Sequence, residues 1–249
     1  MTGSLVTPAT RDRVRGLATP VAKGLGRLGL TPNALTVIGF LGTAAGAWAA
    51  AEQQWLLAGV LVLVFGIFDL FDGTLARATG QATKLGAFLD STLDRAGEGI
   101  VFLGVVAGLA SGNDNGAAVL AGAAMLASFL VSYTRAKSES LGFTPGTGMA
   151  SIGLMPREVR LVVLTLGLVL AGLLGTDPLA DGRIPTGTTA LLIALGAIAI
   201  GAAFTTIQRI LHVVSQSREG LTRHARPSTR RATPHRSTRR STFVFRRRA

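Results

Sequence analysis

The sequence contains no cysteine and few charged residues, and both absences exclude classes of protein. Without cysteine, the chain has neither a disulfide framework nor a zinc site built from thiolates. Charged residues make up only 15% of the 249 residues, whereas hydrophobic residues make up 48%. The first 30 residues carry charges but no compact apolar core, so we expect no cleavable signal sequence.

The apolar residues are gathered in blocks of about 20, the length that spans a bilayer. This pattern predicts an all-α, polytopic membrane protein with one helical bundle rather than two soluble domains. The six predicted transmembrane helices lie near residues 33–51, 55–76, 86–110, 117–136, 158–175 and 187–213. Before them, residues 4–29 mix basic and apolar side chains as an interfacial amphipathic helix does.

Lysine and arginine are unevenly distributed between the two ends of the predicted bundle. The N-terminal segment, the turn at 77–85, the segment at 135–160 and the tail are all basic. The connections at the opposite end hold a single cation, Arg183. By the positive-inside rule both termini are cytoplasmic, in agreement with an even number of spans.

Most of the net charge belongs to the C-terminal tail. From Arg218 to the end there are eleven arginines and one acid, Glu219, which supply +10 of the net +12. The tail is expected to be disordered. It can attract anionic lipid headgroups, contact nucleic-acid phosphates, or simply reinforce the topology, and the last is favoured, so we expect no nucleic-acid partner. The predicted units are an interfacial helix at 1–30, a transmembrane domain at 31–216 and this tail at 217–249.

Four aspartates follow a fixed spacing where the second and third predicted spans meet. Ionisable side chains at membrane depth are costly and indicate a functional site. Carboxylates that repel one another need a cation between them, and an all-oxygen site suits Mg²⁺, Mn²⁺ or Ca²⁺. The pattern reads Asp69-x2-Asp72-Gly73-x2-Ala76-Arg77-x8-Gly86-x3-Asp90-x3-Asp94.

Helix geometry places each half of this pattern on one helix face. Because the turn between the halves is short, we expect the two helices to be antiparallel neighbours that bring the carboxylate pairs together. Gly73 and Gly86 leave room for a ligand beside the backbone. Arg77 supplies a cation suited to phosphate oxygens.

The carboxylates can hold one or two divalent ions, and two ions that bridge a diphosphate would neutralise the charge on a leaving phosphate. Asp94 lies deepest in its span and is the best candidate to take a proton from an attacking hydroxyl. Two alternatives are helix-end acids paired with nearby arginines and an ion relay in a transporter. The relay does not explain why Gly73, Ala76 and Arg77 share the acidic face.

At every defining position, residues 69–94 are similar to the signature of the CDP-alcohol phosphatidyltransferase (CDP-alcohol phosphotransferase) family. The six spans, the interfacial helix and the segment Thr31–Thr36 also resemble the family, and the likeness covers residues from about 10 to 213. It implies that a hydroxyl attacks the lipid-side phosphorus of a CDP-linked lipid and that CMP leaves. It also implies a homodimer.

The resemblance further implies roles for individual residues. Asp94 is the implied proton acceptor, and the implied cofactor is Mg²⁺, with Mn²⁺ as an alternative and two ions in the site. The implied metal ligands are Asp69, Asp72, Asp90 and Asp94. The implied contacts to the CDP-lipid are Pro32, Asn33, Ala34, Leu35, Gly73, Arg77 and Thr83.

Basic residues at the cytoplasmic helix ends predict how the acceptor alcohol is held. Clustered arginines are the expected means of binding a phosphate, which favours a phosphorylated acceptor. The positive-inside bias alone would also place cations here, although Arg209 lies within the largely apolar run 207–214. The predicted acceptor-phosphate residues are Arg135, Lys137, Arg157, Arg160 and Arg209.

The stretch 133–142 and the pair Gln208-Arg209 resemble the prokaryotic phosphatidylinositol phosphate synthases within the family. The sequence therefore predicts a multi-pass enzyme of a bacterial cell membrane, with its active site facing the cytoplasm. Its predicted substrates are CDP-diacylglycerol and inositol 1-phosphate. The alternatives are a phosphatidylglycerophosphate synthase or another member of the family, and a non-catalytic CDP-lipid binder or ion transporter.

Overall fold

The computed structural model describes residues 20–21, 24–143, 153–176 and 184–225, without the side chains of residues 69, 70 and 219–225. Within these ranges the chain is all-helical and contains no strand, which confirms the predicted all-α class. The six long helices are α1 (Pro32–Ala51), α2 (Trp55–Thr79), α3 (Lys84–Ser111), α4 (Asn115–Ser140), α5 (Arg157–Leu174) and α6 (Thr186–Ala225).

Four helices are long and apolar enough to cross a membrane. They are α1, α2, α4 and the Thr186–Arg218 part of α6. The other two predicted spans, α3 and α5, carry the charged residues of the predicted site within their length. Many large apolar side chains face outward, as expected of a surface in contact with lipid; Trp48 is 63% exposed and Ile200 is 75% exposed.

Helix ends are set by residues that the sequence places there. Thr31 caps α1 by accepting a hydrogen bond from the Ala34 amide at 3.2 Å, and Pro32 occupies the first turn. Thr83 caps α3 in the same way, with the Gly86 amide at 3.0 Å. These caps fix where α1 and α3 begin, and therefore which way the side chains in their first turns point.

The packing order of the helices differs from the expected one. We expected α2 and α3 to be direct neighbours because a short turn joins them, but α1 packs extensively against both and they make few or no contacts with each other along their described lengths. Small residues allow this arrangement: a side chain on Gly104 or Gly108 of α3 would collide with the backbone of α1 at Ala47 and Ala50. The remaining packed pairs are α2 with α5, α3 with α4, and α6 with α4 and α5.

The described residues form three apolar clusters in the bundle: one joins Ala127 and Val131 of α4 to Ala202 of α6, and two others pack the rest of the bundle. The larger lies at its centre and includes Phe102, Leu168 and Ile198, all at most 1% exposed. The smaller lies where α1 begins and consists of Leu35 and Leu75 with partly buried neighbours. The second cluster therefore anchors the start of α1 against the end of α2, which is where the predicted site lies.

The predicted segments at the two ends of the chain are only partly described. The interfacial helix expected at 1–30 falls mostly outside the described residues, which are helical at 20–21 and at 24–27. At the other end, α6 continues to Ala225, so a helix covers the first residues of the expected disordered tail at 217–249. No proline interrupts the chain between Pro185 and Pro227, so nothing in this stretch removes a backbone donor from the helix. Residues 226–249 lie outside the description.

Candidate active site

Asp72 is buried and held by hydrogen bonds at the end of the bundle where α1 begins. Asp72 is only 4% exposed. One carboxylate oxygen accepts a bond from the Thr36 hydroxyl at 2.5 Å, and the other accepts one from the Gly73 amide. Thr36 thus connects α1 to the acidic face of α2 and orients an oxygen donor before any ligand arrives.

Gly73 and Gly86 leave space that neighbouring side chains use. The Arg77 guanidinium folds back to within 3.4 Å of the position that a Cβ on Gly73 would take. A Cβ on Gly86 would lie 3.2 Å from Asn33 Oδ1. The start of α1 therefore touches the acidic face of α2 through Thr36 and the start of α3 through Asn33.

The predicted CDP-lipid contacts are not all equally accessible. Asn33, Arg77 and Thr83 are exposed, and Gly73 is half-buried. Leu35, in contrast, is fully buried against Leu75, and its amide donates to the Thr31 carbonyl. The Leu35 side chain therefore packs against α2 at the start of α1, and a contact between Leu35 and the CDP-lipid stays a prediction.

Asp94 and Arg157 form an ion pair, although they lie on different helices. Arg157 Nη1 donates to Asp94 Oδ2 at 2.6 Å, and the two side chains are 29% and 18% exposed. Asp90 and Asp94 both line a cavity of about 1380 Å³ between α3, α4 and the start of α5. The structure thus places the predicted proton acceptor directly beside one of the predicted phosphate-binding arginines.

Two further predicted arginines reach this cavity. Arg135 lies on its wall and pairs with Glu139 at 3.0 Å, with both side chains about half exposed. Arg209 is 3% exposed and donates to the Val131 carbonyl of α4. Lys137 is exposed on α4 and is not among the described residues that line the cavity, so its predicted role stays a prediction.

Arg160, another of the predicted phosphate-binding arginines, is almost fully buried and is paired with an acid of α3. An edge of this residue reaches the cavity wall, yet its side chain is 1% exposed. Its Nε and Nη2 donate to the two carboxylate oxygens of Glu98 at 2.7 and 2.8 Å, and Nη1 donates to the Met155 carbonyl at 3.0 Å. Arg160 thus reaches the cavity wall while its guanidinium is paired with Glu98, and its role in binding the acceptor phosphate stays a prediction.

The sequence reasoning missed Glu98, the partner of Arg160. The signal was present in the sequence, because Asp90, Asp94 and Glu98 follow one another at four-residue intervals and share one face of α3. The stripe of acids on α3 is therefore longer by one residue than the predicted pair. Its first two members reach the cavity and its third enters a buried ion pair.

The carboxylates offer the chemistry that a hard divalent ion requires. Asp72, Asp90 and Asp94 supply only oxygen donors, and Asp72 is already oriented by Thr36. Among the described side chains, no group of three acidic or histidine residues converges closely enough to hold an ion. The side chain of Asp69, the fourth predicted ligand, lies outside the description, so the full ligand set stays a prediction.

Fold and site together describe an apolar helical bundle with carboxylates beside cations in a cavity at one end. The chain matches the CDP-alcohol phosphatidyltransferase family over residues 29–217 and belongs to that family. It is 38% identical over 203 residues to the phosphatidylinositol phosphate synthase of Streptomyces avermitilis, which covers 81% of this chain and 79% of that protein.

Solved structures agree with this assignment. The phosphatidylinositol phosphate synthase of Mycobacterium tuberculosis with CDP-DAG bound is 30% identical and superposes with a TM-score of 0.66, over 79% of this chain and 92% of that one. The same enzyme in complex with manganese and citrate gives a TM-score of 0.68 at 30% identity, over 80% and 89% of the two chains.

Proposed function

We propose that this enzyme transfers a phosphatidyl group from CDP-diacylglycerol to inositol 1-phosphate, which gives phosphatidylinositol phosphate and CMP. The observation that carries the proposal is the contact between Asp94 and Arg157 at the wall of a large cavity. A base beside a phosphate-binding cation suits an acceptor that carries both a hydroxyl and a phosphate. The likeness to phosphatidylinositol phosphate synthases supports the same acceptor.

The chemistry needs one proton acceptor and a defined line of attack. The acceptor hydroxyl forms a new O–P bond at the lipid-side phosphorus, and the bond from that phosphorus to the CMP oxygen breaks. Asp94 takes the hydroxyl proton. Arg157, with Arg135 and Arg209 on the same cavity, binds the acceptor phosphate and holds the hydroxyl towards Asp94.

Divalent ions complete the donor side of the site. The proposed ligands are the four aspartates, and Mg²⁺ is the proposed ion, with two ions per site and Mn²⁺ as a substitute. When bound, such ions neutralise the charge that develops on the leaving phosphate. The proposed CDP contacts are Pro32, Asn33, Ala34, Gly73, Arg77 and Thr83.

The membrane arrangement follows from the distribution of charge. We propose that α3 and α5 also span the bilayer, with their charged residues turned into the bundle, which gives six spans within the predicted 31–216 domain. Both termini and the site then face the cytoplasm of a bacterial cell, because the basic segments lie at that end. An interfacial helix before residue 31 and a homodimer complete the proposed assembly.

A direct assay tests the proposed acceptor. Purified protein in detergent is given CDP-diacylglycerol, Mg²⁺ and radiolabelled inositol 1-phosphate, and the label is followed into the lipid phase while CMP is measured. We expect both products in equal amounts. Incorporation of labelled glycerol 3-phosphate but not of inositol 1-phosphate would instead identify a phosphatidylglycerophosphate synthase.

A further inference from the structure

The last helix of the bundle is longer than a membrane span requires. α6 contains 40 residues, whereas about 20 residues cross the hydrocarbon core of a bilayer. Ile207, Ile210 and Val214 form an exposed apolar stripe along it, and Val214 is the last exposed large apolar side chain described on this helix. The side chains at 215–218 are polar or charged. The edge of the hydrocarbon core therefore lies near Val214.

The rest of α6 leads the chain through the layer of lipid headgroups. Residues 215–225 cover about 16 Å at 1.5 Å per residue, and the headgroup layer on each side of a bilayer is about 5 to 8 Å thick. Arg209, which precedes Val214 on the same helix, lines the cavity that also contains Asp94. The helix thus leaves the membrane on the side where the cavity lies, and residue 226 follows close to that surface.

Residues 226–249 have a composition that suits an anionic surface. They include nine arginines and no acidic residue. The apolar run Phe243-Val244-Phe245 lies between an arginine pair at 239–240 and three arginines at 246–248. Basic clusters beside a membrane span are attracted to anionic headgroups, and aromatic side chains favour the headgroup level. A basic segment combined with an apolar one supplies the two signals that stable surface attachment requires.

A nucleic acid would also attract these arginines, but two observations favour lipid. The segment begins at the membrane surface, where anionic headgroups lie within about one or two Debye lengths, each about 8 Å at physiological salt. In addition, a bilayer interface buries all three side chains of the run 243–245, whereas stacking on bases uses only the two aromatic ones. The position and the composition of the segment therefore agree on a membrane surface.

We propose that residues 226–249 dock on anionic lipid headgroups of the leaflet that faces the cavity, with Phe243 and Phe245 inserted at the headgroup level. The family match ends at residue 217, so the docking segment lies outside the part of the chain that the family shares. Docking gathers anionic lipids around the cavity, and the proposed donor, CDP-diacylglycerol, is such a lipid because its diphosphate is charged. The inference does not depend on the identity of the acceptor alcohol.

The test reports on the surroundings of the segment itself. Because the chain has no cysteine, Ser241→Cys introduces a single attachment site for the environment-sensitive fluorophore NBD. The full-length labelled protein is placed in nanodiscs of neutral phosphatidylcholine, with or without added anionic phosphatidylglycerol. We expect the fluorescence to be about twofold higher in the anionic nanodiscs. It should fall back towards the neutral value in 1 M salt, where the Debye length is about 3 Å.

Two variants and a second labelling position serve as controls. In the first variant all nine arginines are replaced by glutamine, which keeps the length and the polarity of the segment, and we expect the difference between the two kinds of nanodisc to disappear. The second variant combines Phe243→Ser with Phe245→Ser and should lose about half of that difference. A label at Ser111→Cys, an exposed position at the opposite end of the bundle, should respond to neither anionic lipid nor salt.

Several outcomes would overturn the inference. Equal fluorescence in neutral and anionic nanodiscs would do so, and so would a lipid response that persists in the glutamine variant. A response to added RNA, with none to phosphatidylglycerol, would assign the segment to nucleic acid instead. Since none of these measurements requires turnover, a protein that rejects inositol 1-phosphate but still shows the lipid response counts against the proposed acceptor alone.

Discussion

Arg157 and Arg160 lie three residues apart on one face of α5, and each pairs with an acid of α3, yet they differ in exposure and in their other contacts. Arg157 is 29% exposed and lines a large cavity, whereas Arg160 is 1% exposed and is bound to Glu98 and to Met155. Residue type and spacing place both arginines at the same boundary between helices. Depth distinguishes them: the Arg157 side chain is partly exposed at the cavity, whereas the Arg160 side chain is almost fully buried at its wall.

The largest expected effect concerns the partly exposed ion pair Asp94–Arg157. Asp94→Asn removes the proposed proton acceptor and keeps a side chain of the same shape beside Arg157. We expect kcat to fall about 10³- to 10⁴-fold, the upper range for loss of a general base. The measurement is CMP release with saturating substrates and Mg²⁺.

An unchanged thermal unfolding midpoint is the control for Asp94→Asn, because the Asp94–Arg157 ion pair is partly exposed and contributes little to stability. A variant that keeps more than about a tenth of wild-type kcat would show that another group takes the proton.

The buried ion pair Glu98–Arg160 should affect stability much more than the partly exposed pair does. Arg160→Met leaves Glu98 buried without its cation, and we expect the free energy of unfolding to fall by about 3 kcal/mol or more. Adding Glu98→Leu removes the orphaned charge, so the double variant should regain most of that loss. Chemical denaturation in detergent micelles measures both, and equal stability of the single and double variants would argue against a tightly coupled pair.

The sequence alone predicted much of this site because its spacing is unusual. The acidic pattern from Asp69 to Asp94 placed the carboxylates on two helices, and the arginine-rich helix ends placed cations near them. The structure brings Asp94 and Arg157 into contact and puts Arg135 and Arg209 on the same cavity. Regular helical periodicity was sufficient for these placements, since it fixes faces without any knowledge of packing.

Burial and neighbour order could not be predicted in the same way. A partly exposed arginine and an almost fully buried arginine are the same residue type in the same sequence pattern, and only the packing of α3, α4 and α5 distinguishes Arg157 from Arg160. Likewise, the short turn between α2 and α3 predicted direct contact, but small residues let α1 pack against both. Leu35 is a similar case, because Asn33 and Ala34 before it are exposed or partly exposed and it is fully buried.

Substitutions of Arg157 should weaken binding of the acceptor without unfolding the protein. Arg157→Ala is expected to raise the KM for inositol 1-phosphate about 30-fold, which corresponds to the loss of a hydrogen bond to a charged group. Arg157→Lys should recover part of the loss, because lysine keeps the charge but not the fork. Steady-state kinetics with each substrate varied in turn measure this, and a rise confined to the KM for CDP-diacylglycerol would place the acceptor phosphate elsewhere.

The smallest expected effect concerns the proposed CDP-lipid side of the site, away from the Asp94–Arg157 and Glu98–Arg160 ion pairs. Thr36→Val removes the hydroxyl that donates to Asp72 at 2.5 Å and keeps the side-chain shape, whereas Thr36→Ser keeps the hydroxyl. Since a group that orients a metal ligand tunes its affinity, we expect Thr36→Val to raise the Mg²⁺ concentration for half-maximal activity about tenfold. Thr36→Ser should stay close to the wild type. The KM for inositol 1-phosphate should change in neither, because Thr36 is not among the described residues that line the large cavity beside Arg157. A change in that KM would mean that the donor and acceptor sides are coupled through Asp72.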